Sequence, residues 1–402
     1  MSNARERCAT SQNSNYQRDI RYAFKLNSWI LGSLGIWPHA IRNIGQYVSN
    51  ITIVFHNFLL GFTIVPLLLY MLYDESNAKL KKCGLLIFCL AAMIKYLILA
   101  IRRPKIQLCI EYIKYDWWQV TFVSDREMML KYAVTGRNLT IIGTLFMYGA
   151  GIFYFVKPIY MMKSNNQTLR PVVYPIYSQF GDVQNSPKYE IVYAVHCMCG
   201  YTMYTVATGT CGLVALFVTH ACGQIQMIIS RLQNLLVDES LVQTQNIHQR
   251  IVAIVKRHVR VQRFAAVVEG MLQEVCLVEF ASSVCTICLL EYYCILNWQE
   301  NDKVGVVSYS LLFVSCCFNV YILCHIGELL MEKSSQIGSV CYMINWYQIS
   351  PKLVRSMIMI IAMSSHPTKL TAGGMVDLSL STFGNVMKTS IAYLSFLRTL
   401  VM

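Results

Sequence analysis

Four stretches of this chain, residues 43–73, 138–156, 191–230 and 304–327, contain no Asp, Glu, Lys or Arg. A helix needs about 20 predominantly apolar residues to cross the hydrocarbon core of a bilayer, and each stretch reaches or approaches that length. Only 14% of all residues are charged and 55% are hydrophobic, where a soluble chain carries roughly a quarter charged residues. Long uncharged runs in a chain this apolar exclude a soluble enzyme of ordinary composition. Lipid offers the backbone no hydrogen-bond partners, so the runs must be helices that satisfy themselves.

Extending the reading to weaker segments predicts an all-α membrane protein with seven spans, at 45–73, 82–101, 138–157, 191–219, 272–297, 304–326 and 375–400. An amphipathic element over 20–36, ending at Trp37-Pro38, is expected to lie at the interface. Lys95 falls near the end of the second span, where snorkelling to the interface is the expectation. Glu274, Glu279 and Glu291 fall in the fifth. The chain therefore divides into an N-terminal segment with the interfacial helix (1–43), four spans (44–219), a helical extension (220–271), two further spans (272–326), a second helical region (327–374) and a last span (375–402).

Charge sets the expected orientation. With the N-terminus in the cytoplasm, 23 of the 34 Lys and Arg residues lie on the inner side and nine outside, the other two being Lys95 and Lys388 within spans. The positive-inside bias then places the C-terminus outside, with long inner helical extensions forming an assembly anchor. Lys79, Lys81 and Lys82 go against the bias locally. The first thirty residues lack the apolar core of a cleavable signal peptide. The sequon Asn166-Gln167-Thr168 falls in an outer loop, so Asn166 is a glycosylation candidate, whereas Asn138-Leu139-Thr140 lies at an inner membrane edge. The net charge of +13 is spread along the topology rather than concentrated on one element, which argues against nucleic acid. Most of the 16 cysteines fall in apolar segments, where Cys acts as a small hydrophobe. No Cys or His spacing marks a metal site, and no catalytic constellation is present beyond Glu274 and Glu279 near the inner surface.

Several separated stretches resemble the insect odorant receptor family. Tyr174-Pro175 with the 186–193 stretch resembles its entry to the fourth span, and His220-Ala221-Cys222-Gly223-Gln224 its exit. Beyond the sixth span come Gly327-Glu328, Ser334-Ser335, Cys341-Tyr342, Trp346, Pro367, Leu370-Thr371-Ala372-Gly373 and Lys388-Thr389-Ser390, which are similar to that family's C-terminal signature. Ile391-Ala392 departs from the usual hydroxyl-bearing pair. The resemblance implies an odorant receptor subunit that binds volatile ligands in its own bundle. With the common odorant co-receptor it would form a heterotetrameric, ligand-gated, non-selective cation channel in the plasma membrane of olfactory sensory neurons, without a cofactor.

Two other chemoreceptor classes are the alternatives. A G-protein-coupled receptor would place its N-terminus outside. Here no Asp-Arg-Tyr follows the third span, no Asn-Pro-x-x-Tyr closes the seventh, and the 158–190 loop has no cysteine. A gustatory-type receptor would end in a Thr-Tyr and Gln-Phe motif that this chain lacks.

An odorant site should be apolar and aromatic. At helical spacing the candidates are Leu85, Phe88 and Cys89 on the second span, Tyr148, Gly151 and Phe155 on the third, and Cys197, Tyr201 and Tyr204 on the fourth. His196 is expected to be satisfied by a backbone carbonyl. On the last span Ala392, Tyr393, Phe396, Thr399 and Leu400 share a stripe. The resemblance makes Phe396 and Leu400 a hydrophobic constriction and Thr399 its polar neighbour, with Tyr393 on the same pore-facing side.

Overall fold

The computed structural model describes residues 13, 15–38, 44–73, 79–164, 170, 172–174, 184–236 and 243–401. Helices α1 (Tyr16–Ser33), α2 (Ile44–Tyr73), α3 (Lys79–Ile101), α4 (Arg103–Trp118) and α5 (Val123–Ser164) come first. They are followed by α6 (Lys188–Gln233), α7 (Gln243–Gln299), α8 (Lys303–Met343), α9 (Pro351–Ser364), a small hairpin of β1 (Thr371–Ala372) and β2 (Val376–Asp377), and α10 (Leu380–Val401). Six of these helices are long and apolar enough to cross a membrane, and the 22-residue α10 is the seventh apolar helix. Several run well past the expected spans: α6 continues to Gln233, α7 starts at Gln243 and α8 continues to Met343. These overhangs, with α9, make a second, more polar end to the bundle, called here the anchor end.

The centre of the bundle is α6. In its most apolar window 94% of residues are buried, against 28–56% in the other five candidates, so α6 is walled off by its neighbours. Its composition explains the placement. Small residues let backbones approach closely in a membrane bundle. A side chain at Gly209 would meet Leu31 of α1, and one at Gly212 would meet Asn27 of α1 and Thr140 of α5. Gly136 of α5 returns the contact, facing Thr219 and Ala215. Four of the α6 threonines are satisfied locally, because Thr202, Thr205, Thr210 and Thr219 donate to the carbonyls of Met198, Tyr201, Val206 and Ala215 one turn earlier, whereas the Thr208 hydroxyl has no partner among the described residues.

Helix α1 docks along α6 by a stripe of Asp19, Ala23, Phe24, Asn27 and Leu31, leaving Trp29 82% exposed on the other side. The Arg126 guanidinium grips Asp19 through two bonds of 2.6 and 2.8 Å. Burial acts to raise the Asp19 carboxyl, but the bonds from Arg126 and Asn13 and the Arg126 charge hold it below its ordinary range.

Lys95 does not snorkel. Its side chain is 2% exposed, and its ammonium pairs with Glu279 of α7. The other Glu279 oxygen accepts from Asn319 of α8 at 2.7 Å, with the Ser283 hydroxyl at 3.5 Å. Because α3 packs against α7, the lysine meets a carboxylate before it could reach an interface. Glu274 lies nearer the anchor end, where Arg102 donates to it at 2.6 Å.

The hairpin gives the C-terminal motif a physical role. Gly373 and Gly374 turn the chain at φ 64° and 71°, which favours glycine at both positions. Thr371 donates its N–H and hydroxyl to Glu269 of α7, and Gly373 N–H donates to the Gln273 carbonyl at 2.9 Å. The first residue of α10, Leu380, donates to Glu328 of α8 at 3.2 Å. The hairpin thus fixes the start of the last helix against α7 and α8. Burial pushes the Glu269 carboxyl up, although the Thr371 bonds pull the other way.

Candidate functional site

Away from the anchor end, five helices and one loop residue close around a cavity of about 80 Å³. One water needs about 10–15 Å³ on this measure, so the space suits a molecule of a few to about ten heavy atoms. Helix α3 contributes Gly84, Leu85 and Phe88; α5 contributes Met147 and Tyr154; α6 contributes Met203 and Tyr204. Tyr174, from the chain between α5 and α6, enters the same wall. The far side is built by Thr286, Leu290 and Tyr293 of α7 and by Tyr309, Leu312, Ser315 and Cys316 of α8. No lining residue carries a formal charge. A larger hollow of about 530 Å³ at the anchor end is of another kind, with Arg21, Lys25, Glu111 and Lys114 among its lining residues.

The walls are held by specific contacts. Gly84 leaves room for the Tyr293 ring, and its N–H donates to the Tyr293 hydroxyl at 3.1 Å. Phe88 and Tyr204 lie with ring centroids 5.9 Å apart. A side chain at Gly151 would collide with the Tyr204 ring, so that glycine lets the ring lie against α5. Phe155 fills the space at Gly200 and sets its edge against Tyr174 at 5.9 Å and Tyr204 at 6.4 Å. Behind α3, the Cys89 thiol donates to the Met203 sulfur at 3.3 Å.

The nine residues singled out in the sequence fall into three groups. Leu85, Phe88 and Tyr204 line the cavity. Cys89, Gly151 and Phe155 pack directly behind lining residues. Tyr148 hydrogen-bonds Thr205 at 2.6 Å and does not line the cavity, Tyr201 is 43% exposed, and Cys197 is half-buried elsewhere. The contributions of α7 and α8 were missed. Their signal was present: Thr286, Leu290 and Tyr293 recur at i, i+4, i+7, and Tyr309, Leu312 and Ser315 at i, i+3, i+6. Such stripes occur on any packed helix, and nothing in the spacing says which neighbours meet.

His196 is 3% exposed, and no carbonyl reaches its Nδ1, which has no hydrogen-bond partner among the described residues. Its ring lies 4.9 Å from that of Tyr174. In α10, Tyr393 is 55% exposed. The side chains of Phe396, Thr399 and Leu400 lie outside the described residues, as does Asn166. Among the described residues no group of His, Cys, Asp and Glu could hold a metal ion.

A bundle of membrane-length helices around an uncharged, aromatic cavity defines a polytopic membrane protein with an internal apolar space. Residues 77–391 match the family described as 7tm Odorant receptor, and the chain belongs to that family. It is 23% identical over 321 residues to Odorant receptor 10 of Aedes albopictus, covering 76% of this chain and 80% of that one. It is 24% identical over 232 residues to Odorant receptor 13a of Drosophila melanogaster, covering 54% and 55% of the two chains. Its fold is similar to that of the insect olfactory receptor OR5 from Machilis hrabei in complex with eugenol, with a TM-score of 0.81 at 13% identity over 96% of this chain and all of that one. A second structure of OR5 from Machilis hrabei gives 0.77 at 15% identity, covering 96% and 99% of the two chains. The family is one of receptors rather than enzymes.

Proposed function

We propose that this chain is the odorant-tuning subunit of a ligand-gated, non-selective cation channel, assembled as a heterotetramer with the odorant co-receptor. Volatile ligand enters the cavity among α3, α5, α6, α7 and α8. The N-terminus faces the cytoplasm and the C-terminus the exterior, in the plasma membrane of olfactory sensory neurons. Tyr393, Phe396, Thr399 and Leu400 line the ion path on α10. Apolar side chains there close the pore by dewetting, and hydroxyls stabilise a passing cation.

The observation that carries this reading is a shared wall. Leu290 and Tyr293 line the cavity, and the small core they form with Leu289 and Tyr292 packs against Leu394 of α10. One turn away, the Ser390 hydroxyl of α10 donates to Glu291 of α7 at 3.0 Å. A ligand that displaces Leu290 or Tyr293 therefore pushes on the last helix. The solved receptor described with eugenol supports a small aromatic ligand class for the fold.

The test is current recording in cells expressing this chain with the co-receptor, without it, and the co-receptor alone, across an odorant panel. Odorant-evoked cation current is expected in the co-expressing cells, at odorants the co-receptor alone ignores. A response that requires a G protein and persists without cation influx would assign the chain to the alternative receptor class.

A further inference from the structure

Resting on the reading of this cavity as the odorant site, we infer that it selects compact aromatic ligands bearing a hydrogen-bonding oxygen, through the hydroxyls of Tyr154, Tyr174 and Tyr204. The other hydroxyl-bearing side chains of the wall, Tyr309 among them, are engaged within the protein. The Thr286 hydroxyl donates to the Ser282 carbonyl at 2.7 Å, Ser315 donates to the Met147 sulfur at 3.1 Å, and the Tyr293 hydroxyl accepts from Gly84. Each of these groups already has a hydrogen-bond partner within the protein. The phenol hydroxyls of Tyr154, Tyr174 and Tyr204 have no hydrogen-bond partner among the described residues, although Tyr174 is 2% and Tyr204 8% exposed. Nor are they among the polar atoms sealed into packed protein without a partner. All three residues line the cavity.

Several tyrosines elsewhere in the bundle are paired within the protein, although the buried Tyr292 has no hydrogen-bond partner among the described residues. The Tyr96 hydroxyl donates to the Leu34 carbonyl at 2.7 Å, Tyr193 to the Phe155 carbonyl at 2.7 Å, and Tyr148 bonds Thr205. Buried polar groups in native proteins are paired, and leaving one unpaired is costly. Three open phenols on one small cavity, from α5, the α5–α6 connection and α6, are therefore groups that an occupant can complete. A phenol both donates and accepts, so a carbonyl oxygen and an alcohol both serve. The remaining wall is aromatic rings, aliphatic side chains and the sulfurs of Met147, Met203 and Cys316. Those surfaces favour a flat, polarisable body. A hydrocarbon of identical shape would fill the space while leaving the phenols unpaired. A site built to hydrogen-bond an oxygen rejects the analogue that lacks it far more strongly than an apolar site discriminates by size.

The experiment compares isosteric pairs in cells expressing the chain with the co-receptor: acetophenone against α-methylstyrene, and 1-phenylethanol against cumene. Each oxygenated probe is expected to be at least about tenfold more potent than its hydrocarbon partner. The triple variant Y154F/Y174F/Y204F keeps all three rings. It should weaken the oxygenated probes about tenfold and leave the hydrocarbons unchanged or stronger, with currents normalised to surface-stained receptor. Equal potency within both pairs, an equal shift of both members in the variant, or silence of all four probes in a receptor that answers other odorants would overturn the inference. L85W, which fills the cavity from α3 and away from the α7–α10 contact, separates this from failure of the underlying reading. If L85W, at normal surface staining, removes responses to every active odorant, the cavity is the ligand site and only the ligand class is at stake. If responses survive L85W, the site itself is misplaced.

Discussion

The bundle carries two polar regions that are treated in opposite ways. In the cavity wall, the hydroxyls of three tyrosines, from α5, the α5–α6 connection and α6, have no hydrogen-bond partner among the described residues. Seven residues along α3 and α7, about 10 Å of helix rise, separate Phe88 and Thr286 from Lys95 and Glu279. There both carboxylate oxygens are taken up, one by Lys95 and the other by Asn319 and Ser283. The contrast separates two uses of polarity in a lipid-embedded bundle. Saturated polar groups hold helices in register, and unsaturated ones facing a cavity hold something that comes and goes.

The largest expected effect tests the saturated region. Removing one partner of a buried ion pair leaves the other charged and unpaired, which costs about 3–5 kcal/mol. Glu279→Ala should therefore lose most of its surface expression and most of its melting stability in detergent. A buried pair replaced by apolar groups of similar volume is often neutral. The double variant Lys95→Met with Glu279→Leu should therefore recover a large share of both. If the double variant is no better than Glu279→Ala, the pair acts through its charge rather than as a register pin, and the contrast with the cavity wall fails.

A second effect, of intermediate size, probes the cavity from behind. Gly151 is where the Tyr204 ring lies against α5. Gly151→Val forces the ring inward, and overpacking of this kind costs about 1–3 kcal/mol. Because the displaced ring moves into an existing hollow, the stability loss should fall at the low end. The ligand spectrum should narrow toward smaller odorants. Dose–response curves across a size series, with surface staining, measure both. Uniform loss of response to all sizes would mean that Gly151 serves packing alone.

The two regions were not equally legible. The spans were readable because the absence of charge over 191–230 or 304–327 admits one physical solution in lipid. The turn at Gly373-Gly374 was visible as a motif, though not its attachment to Glu269. Lys95 was misread because its partner is 184 residues away in the chain. A lysine near a span end looks the same to a linear reading whether it reaches headgroups or a carboxylate on another helix. The cavity was half legible for a related reason. Aromatic stripes on α3 and α6 identified Leu85, Phe88 and Tyr204, but equal stripes on α7 and α8 went unused, since periodicity marks a buried face without naming what it faces. Tyr148 and Tyr201 share α5 and α6 with true lining residues, and only the rotation of each helix separates them.

The smallest expected effect uses that separation. Tyr148 is a phenol on α5, as Tyr154 is, but its hydroxyl is paired and it does not line the cavity. The Thr205 hydroxyl already donates to the Tyr201 carbonyl at 2.5 Å, so in the Tyr148–Thr205 bond the tyrosine is the donor. Tyr148→Phe then removes one neutral hydrogen bond and leaves Thr205 with its own acceptor. The cost should be about 0.5–1.5 kcal/mol, a small drop in melting temperature. Since the lost hydroxyl never faced ligand, the rank order of odorant potencies should be unchanged, for oxygenated and hydrocarbon probes alike. Tyr154→Phe should do the reverse, leaving stability nearly intact and reordering the potencies. Matching behaviour in these two variants, in either direction, would erase the distinction between paired and open phenols on which the contrast between the two regions depends.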